Sequence, residues 1–574
     1  MPPAGTASRE MRAEALPARD AYDVIVLGAG AGRMTAAAMA AADGLSVLLI
    51  EKSELIGGTT AFSGGMVWIP ANGKMGEADL TDSLDAARNY LAQTVGSTTD
   101  DRLEAFLTNG DRAVKKLEQK TSVRLRAVKR YPDYYPDLPG ATLGGRVLEP
   151  VPFDGRMLGE RFKLLRRPLP EFTLFGGMMV DRADIPHFRK AGRSLSSTWR
   201  VAKLAARYAR ERLSAGRGAS LYLGNALAAR LLHSLLQARV DIRLSASVKA
   251  LVRSGGAVTG VILDAGGRRS EIRARCGVVL ATGGFSHSPE MRERYLPPQM
   301  RFSAVCSENA GDGIALGEGA GAGFAEGAKD NGFWVPVSRF RRRDGSDAPF
   351  PHTVTDRAKP GAIAVNREGR RFTNEARSYH EFVLSMLRLD NDSASVQAYL
   401  ICDRTFLWKY GLGAIKPFTL SVRRHIASGY LTAGGSIAGL AGKLRIDARG
   451  LAATVTRYNE AARGGEDPEF GRGGDAYQRH LGDADVMPNA CVAPIIAPPF
   501  YAIALYPADL GTAAGLRTNR DAQVLDRDDK PIKGLYACGN DMSSVMEGAY
   551  PGPGITLGPA LTFGVIAAER LAAP

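Results

Sequence analysis

A chain of 574 residues is longer than one hydrophobic core normally serves, so at least two domains are expected. Its composition, 45% hydrophobic and 23% charged, is that of a globular protein and excludes a largely disordered chain. The net charge of +14 would suit a nucleic-acid partner, but no nucleic-acid-binding motif accompanies it, and we expect no such partner. No apolar run reaches the roughly 18 residues of a membrane span, and residues 1–20 lack the apolar core of a secretion signal. We expect a cytoplasmic protein in which residues 1–20 form a flexible tail.

The first predicted elements are a strand, a glycine turn, a helix and a second strand. They cover residues 22–27, 28–32, 34–42 and 46–50. The turn contains Gly28, Gly30 and Gly32, and the second strand ends in Glu51. Backbone amides at such a helix start approach a pyrophosphate, and a carboxylate after the next strand accepts hydrogen bonds from ribose hydroxyls. The pattern predicts a dinucleotide site, although Arg33 stands where the third glycine of the usual fingerprint would be.

Three later segments carry small residues suited to a backbone pressed against a flat ring system. The run 57–65 holds glycines and small hydroxyl residues, and the apolar runs 278–284 and 534–540 both end in small residues. With the first turn they make four elements in a fixed order. The candidate cofactor contacts are Lys52, which follows Glu51, and in these three segments Gly58, Thr59, Thr60, Ser63, Gly64, Gly65, Thr282, Gly283, Gly284, Gly539 and Asn540.

The four elements resemble the flavoprotein family of fumarate reductases, succinate dehydrogenases and 3-ketosteroid dehydrogenases over nearly the whole chain. The resemblance implies FAD as the cofactor, with Val248, Gly558 and Leu561 as further contacts. Covalently flavinylated members have a histidine where this chain has Gly58, so we expect FAD to be bound without a covalent bond. Arg33 is expected to direct its side chain either to solvent or to a flavin phosphate. The sequence contains no metal-ligand set, and no metal is expected.

Tyrosines distinguish the branches of this family. Fumarate reductases place a proton-donating arginine after an N-x-x-G-x-R-F-x-N-E segment, which this chain has at 366–375, but here Tyr379 stands at the arginine position. A tyrosine cannot grip a dicarboxylate as a guanidinium group does. Residues 547–559 are similar to the Y-P-G-P-G signature of 3-ketosteroid Δ1-dehydrogenases, and residues 131–136 are similar to their D-Y-x-P element. The chain is identified as a member of the 3-ketosteroid Δ1-dehydrogenase family.

This resemblance implies that the protein forms a C1–C2 double bond in ring A of a 3-ketosteroid. Tyr550 and the backbone amide of Gly554 would donate hydrogen bonds to the C3 carbonyl oxygen, as an oxyanion hole does. Tyr379 would take the C2 proton, Tyr134 would carry it away, and FAD would receive the C1 hydride. Two alternatives stay open: a dehydrogenase or ene-reductase acting on another cyclic ketone or an enoate, and a flavin-binding protein without catalysis.

The resemblance implies an α/β FAD-binding domain of Rossmann type, with a parallel sheet and helices, and an inserted α+β catalytic domain. We expect the FAD-binding domain at residues 21–285 and 496–574, and the catalytic domain at 286–495. Residues 146–218 are too polar and irregular for the sheet and are expected to form loops and helices near the mouth of the substrate pocket. Asp312 is expected to cap the start of a helix in the second domain.

A basic segment at residues 189–217 raises the question of partners. Nine lysines and arginines lie there beside one acidic residue, Glu211. Apolar residues between them indicate a basic helix with one partly apolar face. Such a helix is either solvated or rests on anionic lipid as a peripheral membrane contact. The sequence does not indicate the electron acceptor.

Overall fold

A computed structural model of the chain describes residues 19–96, 99–342, 344–389 and 398–573. Apart from residues 19 and 20, the predicted tail lies outside this part. The strands of the described part are β1 (Ala21–Leu27), β2 (Val47–Ile50), β3 (Val67–Trp68), β4 (Leu125–Ala127), β5 (Val147–Pro150), β6 (Phe153–Asp154), β7 (Ser220–Leu221), β8 (Asp241–Arg243), β9 (Ala246–Ser254), β10 (Ala257–Ala265), β11 (Arg268–Leu280), β12 (Phe302–Ser303), β13 (Phe324–Ala325), β14 (Gly332–Arg341), β15 (Asp347–Pro351), β16 (Ala362–Val365), β17 (Ala398–Cys402), β18 (Thr432–Gly434), β19 (Phe500–Thr512), β20 (Gly515–Leu516), β21 (Gln523–Leu525) and β22 (Pro531–Ala537).

The α-helices of the same part alternate with these strands or link them. They are α1 (Ala31–Ala42), α2 (Leu84–Thr94), α3 (Asp101–Lys120), α4 (Ile185–Lys190), α5 (Leu195–Ala215), α6 (Leu223–Gln237), α7 (Pro289–Tyr295), α8 (Asp312–Gly319), α9 (Tyr379–Leu387), α10 (Arg404–Tyr410), α11 (Arg423–Ala427), α12 (Ile437–Leu444), α13 (Ala448–Ala462), α14 (Ala476–Leu481) and α15 (Leu557–Ala572). None of the described helices is both long and apolar enough to cross a membrane.

The first sheet has eight strands and is mixed. Five strands run parallel in the order β22–β11–β1–β2–β8, with Leu27 in register between Leu280 and Ile50. β21 is antiparallel to β22, and β10 and β9 continue antiparallel from the first half of β11. β2 is apolar and buried throughout, as expected for a strand covered on both faces. The predicted parallel sheet is therefore present as five strands of a mixed sheet.

Helices α1, α6 and α15 pack together, and α15 also contacts α3. The contact between α1 and α15 depends on small residues, because a Cβ atom added at Gly32 would lie 3.0 Å from the carbonyl oxygen of Ala560. A Cβ atom at Gly564 would lie 2.7 Å from the carbonyl oxygen of Gly32. Gly32, predicted as a cofactor contact, thus also lets two helices approach closely.

The second sheet has seven strands in the order β15–β14–β19–β17–β16, with β12 and β18 also paired to β19. All of its pairs are antiparallel except the pair between β12 and β19. β19 is the central strand, and every strand that pairs with it comes from the predicted catalytic segment 286–495. The predicted boundary at residue 496 separates β19 from these partners, whereas a boundary after Thr512 would keep the sheet together. The domain limits stay a prediction.

Two local expectations differ from the structure. Residues 146–218 contain not only loops and helices but also β5, which pairs with β3 and β4 in a separate three-stranded sheet. Asp312 is not the cap of α8, because Gly311 holds that position with φ +82°. Asp312 is the first residue of the helix and forms an ion pair with Lys52.

Candidate active site

A cavity of about 230 Å³ lies at the carboxyl ends of β1 and β2. This is the edge of a parallel sheet at which ligands normally bind. The predicted cofactor contacts that line it are Gly28, Glu51, Lys52, Gly58, Val248 and Thr282. Gly28 has φ +104°, a conformation that side chains with a Cβ atom rarely adopt. The strand–turn–helix at the start of the chain therefore forms one wall of this nucleotide cavity.

Arg33 lies across the glycine turn. Its side chain is 9% exposed, and its Nη1 atom is 3.8 Å from Oε2 of Glu51. A Cβ atom added at Gly28 would lie 2.5 Å from Nη1, and one added at Gly283 would lie 2.6 Å from Nη2. The expectation that Arg33 points to solvent is therefore wrong. Its guanidinium group faces the turn whose amides are predicted to bind a phosphate.

The carboxylate of Glu51 is held at the end of β2. Its Oε1 atom accepts a hydrogen bond from the amide of Ser53 at 2.9 Å, and its backbone pairs with Arg243 and Ala246. Its side chain is 8% exposed. A carboxylate fixed in this way keeps its second oxygen available to a ribose hydroxyl.

The small residues after Glu51 connect the turn to the second domain. Thr60 Oγ1 accepts from the amide of Ala31 at 3.1 Å, which satisfies the first residue of α1. Thr59 Oγ1 accepts from the amide of Cys306 at 3.0 Å and from Asn309 Nδ2 at 3.2 Å. Further along, Ser63 Oγ donates to the Thr60 carbonyl at 2.9 Å.

Two of the remaining predicted glycines, Gly65 and Gly558, sit at close approaches of the backbone. A Cβ atom at Gly65 would lie 2.3 Å from the amide nitrogen of Gly224, and one at Gly558 would lie 2.2 Å from the carbonyl oxygen of Trp68. Gly64 has open space around its Cβ position, as has Gly539, whereas a Cβ atom at Gly30 would lie 3.5 Å from the Arg33 guanidinium carbon. Leu561 is buried in α15.

Asp541 is a member of this region that sequence reasoning missed. Its Oδ1 atom accepts from the amides of Gly283 and Gly284 at 2.9 and 2.8 Å, and its other carboxylate oxygen bonds the amide of Thr282. A Cβ atom at Gly284 would lie 3.1 Å from the Cβ atom of Asn540. Asp541 thus ties the end of β11 to the end of β22. Its place directly after the predicted Asn540 was the available signal.

Residues from other parts of the chain complete the nucleotide cavity. They are Leu55, Arg166, Ala246, Ser247, Lys249, Cys306, Glu308, Asn309, Asp312 and Leu316, and none of them was predicted as a cofactor contact. Arg166 Nη2 lies 3.2 Å from Glu308 Oε1 and 3.0 Å from Ser53 Oγ. Only folding brings these segments to β2, so no local pattern marks them. The glycine turn, the carboxylate after β2 and the neighbouring cations together fit the adenosine diphosphate part of FAD.

A second group of predicted residues forms a tyrosine cluster, which we define as Tyr134, Tyr379 and Tyr550. The ring centroids are 5.7 Å apart for Tyr134 and Tyr379, 5.2 Å for Tyr379 and Tyr550, and 5.6 Å for Tyr134 and Tyr550. All three side chains are buried. The structure therefore brings together three tyrosines from segments that are hundreds of residues apart in sequence.

Backbone contacts hold the cluster in place. The amide of Tyr134 donates to the carbonyl of Pro551 at 2.9 Å, and the hydroxyl of Tyr90 donates to the same oxygen at 2.5 Å. Tyr379 is the first residue of α9, whose cap Ser378 accepts from the amide of Glu381 at 3.2 Å. The loop of Tyr134 is thus bonded directly to the turn that carries Tyr550.

Gly554 lies at the point where this turn meets the segment after Gly65. It has φ +97°, and an added Cβ atom would lie 2.5 Å from the carbonyl oxygen of Met66. Its carbonyl accepts from the amide of Trp68 at 3.1 Å. Its own amide finds no acceptor among the residues that the structure describes. A free N–H group and a buried phenol carried by one turn are donors of the kind that can bind a carbonyl oxygen.

The tyrosine cluster carries no charge at neutral pH. Burial raises the pKa of Tyr550 to about 12. Burial also raises the pKa of Tyr134 and Tyr379 well above the usual value, although a hydrogen bond with Tyr134 acts on Tyr379 in the opposite direction. The neighbouring His380 is neutral as well, because burial lowers its pKa to about 3. The cluster is therefore a set of neutral hydrogen-bonding groups in a desolvated setting.

Asp133 and Tyr477 support the cluster and were not predicted. Asp133 accepts from Trp68 Nε1 at 2.8 Å, from Arg146 Nη1 at 2.8 Å and from the amide of Thr142 at 3.0 Å. These bonds fix the residue directly before Tyr134. The ring of Tyr477 is fully buried, and its centroid lies 4.7 Å from that of Tyr134. The aspartate of the D-Y-x-P element was a signal for Asp133, whereas Tyr477 had none.

Comparisons with known proteins agree with this arrangement. The FAD binding domain family matches residues 23–557. The 4-oxocyclohex-2-ene-1-carboxylate 5-dehydrogenase of Sinomonas cyclohexanicum is 37% identical, over 96% of this chain and 94% of its own length. The 3-oxosteroid 1-dehydrogenase of Mycobacterium tuberculosis is 35% identical, over 96% of this chain and 98% of its own length.

A solved structure gives the same result in three dimensions. The crystal structure of 3-ketosteroid Δ1-dehydrogenase from Sterolibacterium denitrificans, in complex with 1,4-androstadiene-3,17-dione, superposes with a TM-score of 0.89 and 39% identity. The match covers 96% of this chain and 100% of that one. The prediction of the family and of FAD as its cofactor is confirmed. The chain belongs to the FAD binding domain family and is an FAD-dependent oxidoreductase of the branch that contains the 3-oxosteroid 1-dehydrogenases.

Proposed function

We propose that this oxidoreductase introduces a C1–C2 double bond into ring A of a 3-oxosteroid. The observation that carries the proposal is the cluster of three buried, neutral tyrosines, of which Tyr550 stands four residues before Gly554 in the same turn. Steroid rings are apolar apart from their oxygens, so a desolvated cluster of neutral donors suits them better than a charged site would. The relatives named for 3-oxosteroids support the same substrate class.

Tyr550 and Gly554 are the groups that hold the ketone oxygen. The phenol of Tyr550 remains protonated at neutral pH because burial raises its pKa to about 12, so it can donate a hydrogen bond. The amide of Gly554 donates from the same turn. As the C2 proton leaves, negative charge grows on the ketone oxygen, and two fixed donors stabilise this charge more than they stabilise the ketone.

Tyr379 takes the C2 proton, and Tyr134 relays it away. A phenol whose pKa is raised by burial is a weak base, so the proton transfer depends on the stabilised enolate and on a hydrogen bond that disperses charge from Tyr379. Tyr134 is the partner proposed for this bond because its ring contacts that of Tyr379. The ring of Tyr134 also contacts the ring of Tyr477. Bound FAD supplies the two-electron acceptor for the hydride that leaves C1.

The nucleotide cavity holds FAD without a covalent bond. The proposed contacts are the predicted residues of the glycine turn, the run 57–65, Glu51, Lys52, Val248, residues 282–284, 539–540, Gly558 and Leu561. Gly58 offers no side chain for covalent attachment. The inserted α+β domain then covers the flavin ring and carries Tyr379 into the crevice.

Anaerobic titration of the yellow holoenzyme with 4-androstene-3,17-dione tests the reaction. We expect the visible flavin absorbance to bleach and the recovered steroid to have lost two hydrogens from ring A. The Tyr379→Phe variant is the control, because it should retain the yellow flavin and bleach far more slowly. A flavin that stays oxidised with every 3-oxosteroid offered would contradict the steroid assignment.

A second candidate substrate is a small cyclic oxo acid. The 37% and 36% identical relatives from Sinomonas cyclohexanicum are named as dehydrogenases of 4-oxocyclohex-2-ene-1-carboxylate and 4-oxocyclohexanecarboxylate. The two candidates are separated by the ratio of kcat/KM for 4-androstene-3,17-dione to that for 4-oxocyclohexanecarboxylate. A ratio above one supports the steroid, and a ratio below one supports the oxo acid.

A peripheral contact of residues 189–217 with anionic lipid is the second part of the proposal. Helix α5 exposes Leu195, Trp199 and Leu213 by 92%, 64% and 89%, together with most of its lysines and arginines. An exposed tryptophan beside basic side chains is typical of a helix at a lipid surface. Co-sedimentation with phosphatidylglycerol vesicles should exceed that with phosphatidylcholine vesicles and should fall in Trp199→Gln. Equal recovery with both lipids would favour the solvated-helix alternative.

A further inference from the structure

A second cavity, of about 190 Å³, lies within the region 167–221 and is separate from the nucleotide cavity. Segment 165–167 divides the two, since Arg166 lines the nucleotide cavity and Arg167 lines this one. We call it the arginine cavity, because Arg167, Arg212 and Arg217 line it and no aspartate or glutamate does. The nucleotide cavity, by contrast, is also lined by Glu51, Glu308 and Asp312. The arginine cavity is therefore a concave surface of one charge sign.

Arg217 is the buried member of this set. It is 9% exposed, its guanidinium carbon lies 4.4 Å from the ring centroid of Phe162, and Nη1 donates to the carbonyl of Leu165 at 2.9 Å. No carboxylate of the described residues lies within ion-pair distance of it. Burial, with a further contribution from the Arg167 charge, lowers its pKa to about 10. A buried cation without a counter-ion is costly, and proteins normally pair such groups.

Three other buried arginines have more partners than Arg217 has. Arg146 pairs with two aspartates, and Arg371 pairs with Glu375 and Asp467. Arg357 has no carboxylate, but it donates to the backbone carbonyls of four residues. Arg217 has a single carbonyl partner among the described residues. Its remaining donors are therefore left free for a group that is not part of the fold.

Two acidic residues, Glu171 and Glu211, adjoin lining residues in sequence, and both already have partners. Glu171 pairs with Arg342 at 2.7 Å. Glu211 accepts from the amides of Ala219 and Ser220 at 2.7 and 3.0 Å, and it also pairs with Arg207. Neither carboxylate lines the arginine cavity. Either carboxylate could pair with Arg217 only if it gave up the hydrogen bonds or the ion pair that it makes here.

The rest of the arginine cavity is apolar. Met179, Tyr208 and Leu221 form its wall, and the hydroxyl of Tyr208 is turned away to the carbonyl of Phe175 at 3.3 Å. Phe175 and Leu213, which neighbour lining residues in sequence, are 63% and 89% exposed. A ligand that fits this site has an anionic head for the guanidinium groups and an apolar body for the wall.

We propose that the arginine cavity binds an amphiphilic anion, with a carboxylate or phosphate head on Arg217 and Arg167 and an apolar chain or ring on Met179, Tyr208 and Leu221. This proposal does not depend on the desaturation reaction. The same chemistry is offered by two sources, a free amphiphilic acid and the headgroup of an anionic phospholipid.

Calorimetric titration of the holoenzyme with dodecanoate, below its micelle concentration, tests the site. We expect saturable binding with one dodecanoate per chain and at least a tenfold loss of affinity in Arg217→Gln. Arg210→Gln is the matched control, because Arg210 is an exposed arginine of α5 that does not line the cavity, and it should bind as the unmodified protein does. Dodecanol, which has the same chain without the charge, should bind at least tenfold more weakly.

A second variant covers the case in which Arg217→Gln fails to fold. Arg167 is exposed, so Arg167→Gln leaves the core intact and should still weaken dodecanoate binding by about threefold to tenfold. The absence of saturable dodecanoate binding to the unmodified holoenzyme would overturn the proposal. Unchanged affinity in both Arg217→Gln and Arg167→Gln would overturn it as well.

Phosphatidylglycerol distinguishes the two sources. If the headgroup of a lipid is the source, soluble dihexanoyl phosphatidylglycerol displaces dodecanoate, and recovery on phosphatidylglycerol vesicles falls further in Arg217→Gln than in Arg210→Gln. If a free acid is the source, the short lipid does not displace dodecanoate, and the two variants are recovered on vesicles equally. Both results support an anion site in the arginine cavity.

Discussion

The nucleotide cavity and the tyrosine cluster differ in how they are built. The nucleotide cavity is made of backbone amides, three carboxylates and several cations, and a Cβ atom would not fit at Gly28 on its wall. The tyrosine cluster is made of neutral side chains that are buried against one another. The difference teaches that the proposed cofactor site and the proposed proton-transfer site are built from separate sets of residues. Substitutions should therefore remove one and leave the other.

The largest expected effect comes from removing the proposed base. Tyr379→Phe should lower kcat for a 3-oxosteroid by about 10²- to 10⁴-fold, because general bases contribute roughly that much. The flavin content should stay unchanged, since Tyr379 does not line the nucleotide cavity. Stopped-flow reduction under anaerobic conditions measures the rate. Tyr295→Phe, a tyrosine whose ring packs on Phe324 outside the cluster, is the control and should reduce at the normal rate. Loss of flavin together with activity in Tyr379→Phe would break the separation of the two regions.

Removing one donor to the ketone oxygen should have a slightly smaller effect. Tyr550→Phe should lower kcat by about 10²- to 10³-fold, which is typical of the loss of one oxyanion donor. The free amide of Gly554 accounts for the activity that remains. Steady-state kinetics give the value, and the binding of a 3-oxosteroid product should weaken far less than kcat falls. Equal losses in kcat and in product affinity would mean that Tyr550 only binds the ligand.

Gly28→Ala tests the nucleotide cavity, the other region of the comparison. The new Cβ atom would lie 2.5 Å from Arg33 and would impose strain at φ +104°, so FAD affinity should fall roughly 10- to 100-fold. At saturating FAD, the rate of flavin reduction should be close to normal. Gly44→Ala is the matched control, because Gly44 also has a positive φ but no atom within 4 Å of its Cβ position. Fluorescence titration of the apoprotein measures both. Similar FAD affinities for the two variants would show that backbone strain at a positive φ, and not the contact with Arg33, explains the loss of FAD affinity.

Unfolding at alkaline pH tests the raised pKa of Tyr550 in the tyrosine cluster, and the test does not depend on the cofactor. The pKa of Tyr550 is about 12 in the folded protein and about 10 in the unfolded chain, so its contribution is intact below about pH 10 and is lost as the pH rises towards 12. By about pH 11, the unmodified protein should have lost about 1.4 kcal/mol more unfolding free energy than the Tyr550→Phe variant has. Urea unfolding at about pH 9 and about pH 11 provides the comparison. Identical losses in the two proteins would mean that Tyr550 titrates normally.

The smallest expected effect concerns Arg33. If its guanidinium group binds a flavin phosphate, Arg33→Gly should weaken FAD binding by about threefold to tenfold at low salt and should reduce the dependence of the affinity on salt. Flavin fluorescence titration at two ionic strengths measures both quantities. Arg33→Lys should keep part of the affinity and the salt dependence. An Arg33→Gly variant with unchanged affinity at both ionic strengths would leave Arg33 without a role towards the cofactor.

The sequence predicts the nucleotide cavity and the tyrosine cluster to different extents. The reason is how far apart along the chain the contacting residues lie. The glycine turn and Glu51 are neighbours in one strand–turn–helix unit, so local periodicity predicts their meeting. Arg166 and Asp541 reach the same region from distant segments. No local pattern marks Arg166, and the only signal for Asp541 is its place after Asn540. The tyrosines were chosen only because their motifs resemble a family. Their mutual contacts depend on how three segments pack.

The fold shows the same limit. The apolar runs that became β1, β2 and β22 predict buried strands, but the antiparallel strands β9 and β10 were not expected. The central position of β19 in the second sheet also went unpredicted, because alternation in a single strand does not reveal its partners. Arg217 carried no signal beyond the basic charge of its segment, since burial is a property of the folded chain.

The pairing of β1 with β11, and of β11 with β22, joins segments that are far apart along the chain. Loops of this length close slowly, so we expect refolding to be limited by assembly of the first sheet. Tyr550 follows β22 in sequence, so we expect it to reach Tyr134 after that sheet has closed. During refolding, recovery of activity should therefore trail the return of helical circular dichroism, and the tyrosine cluster should report the last step of the process.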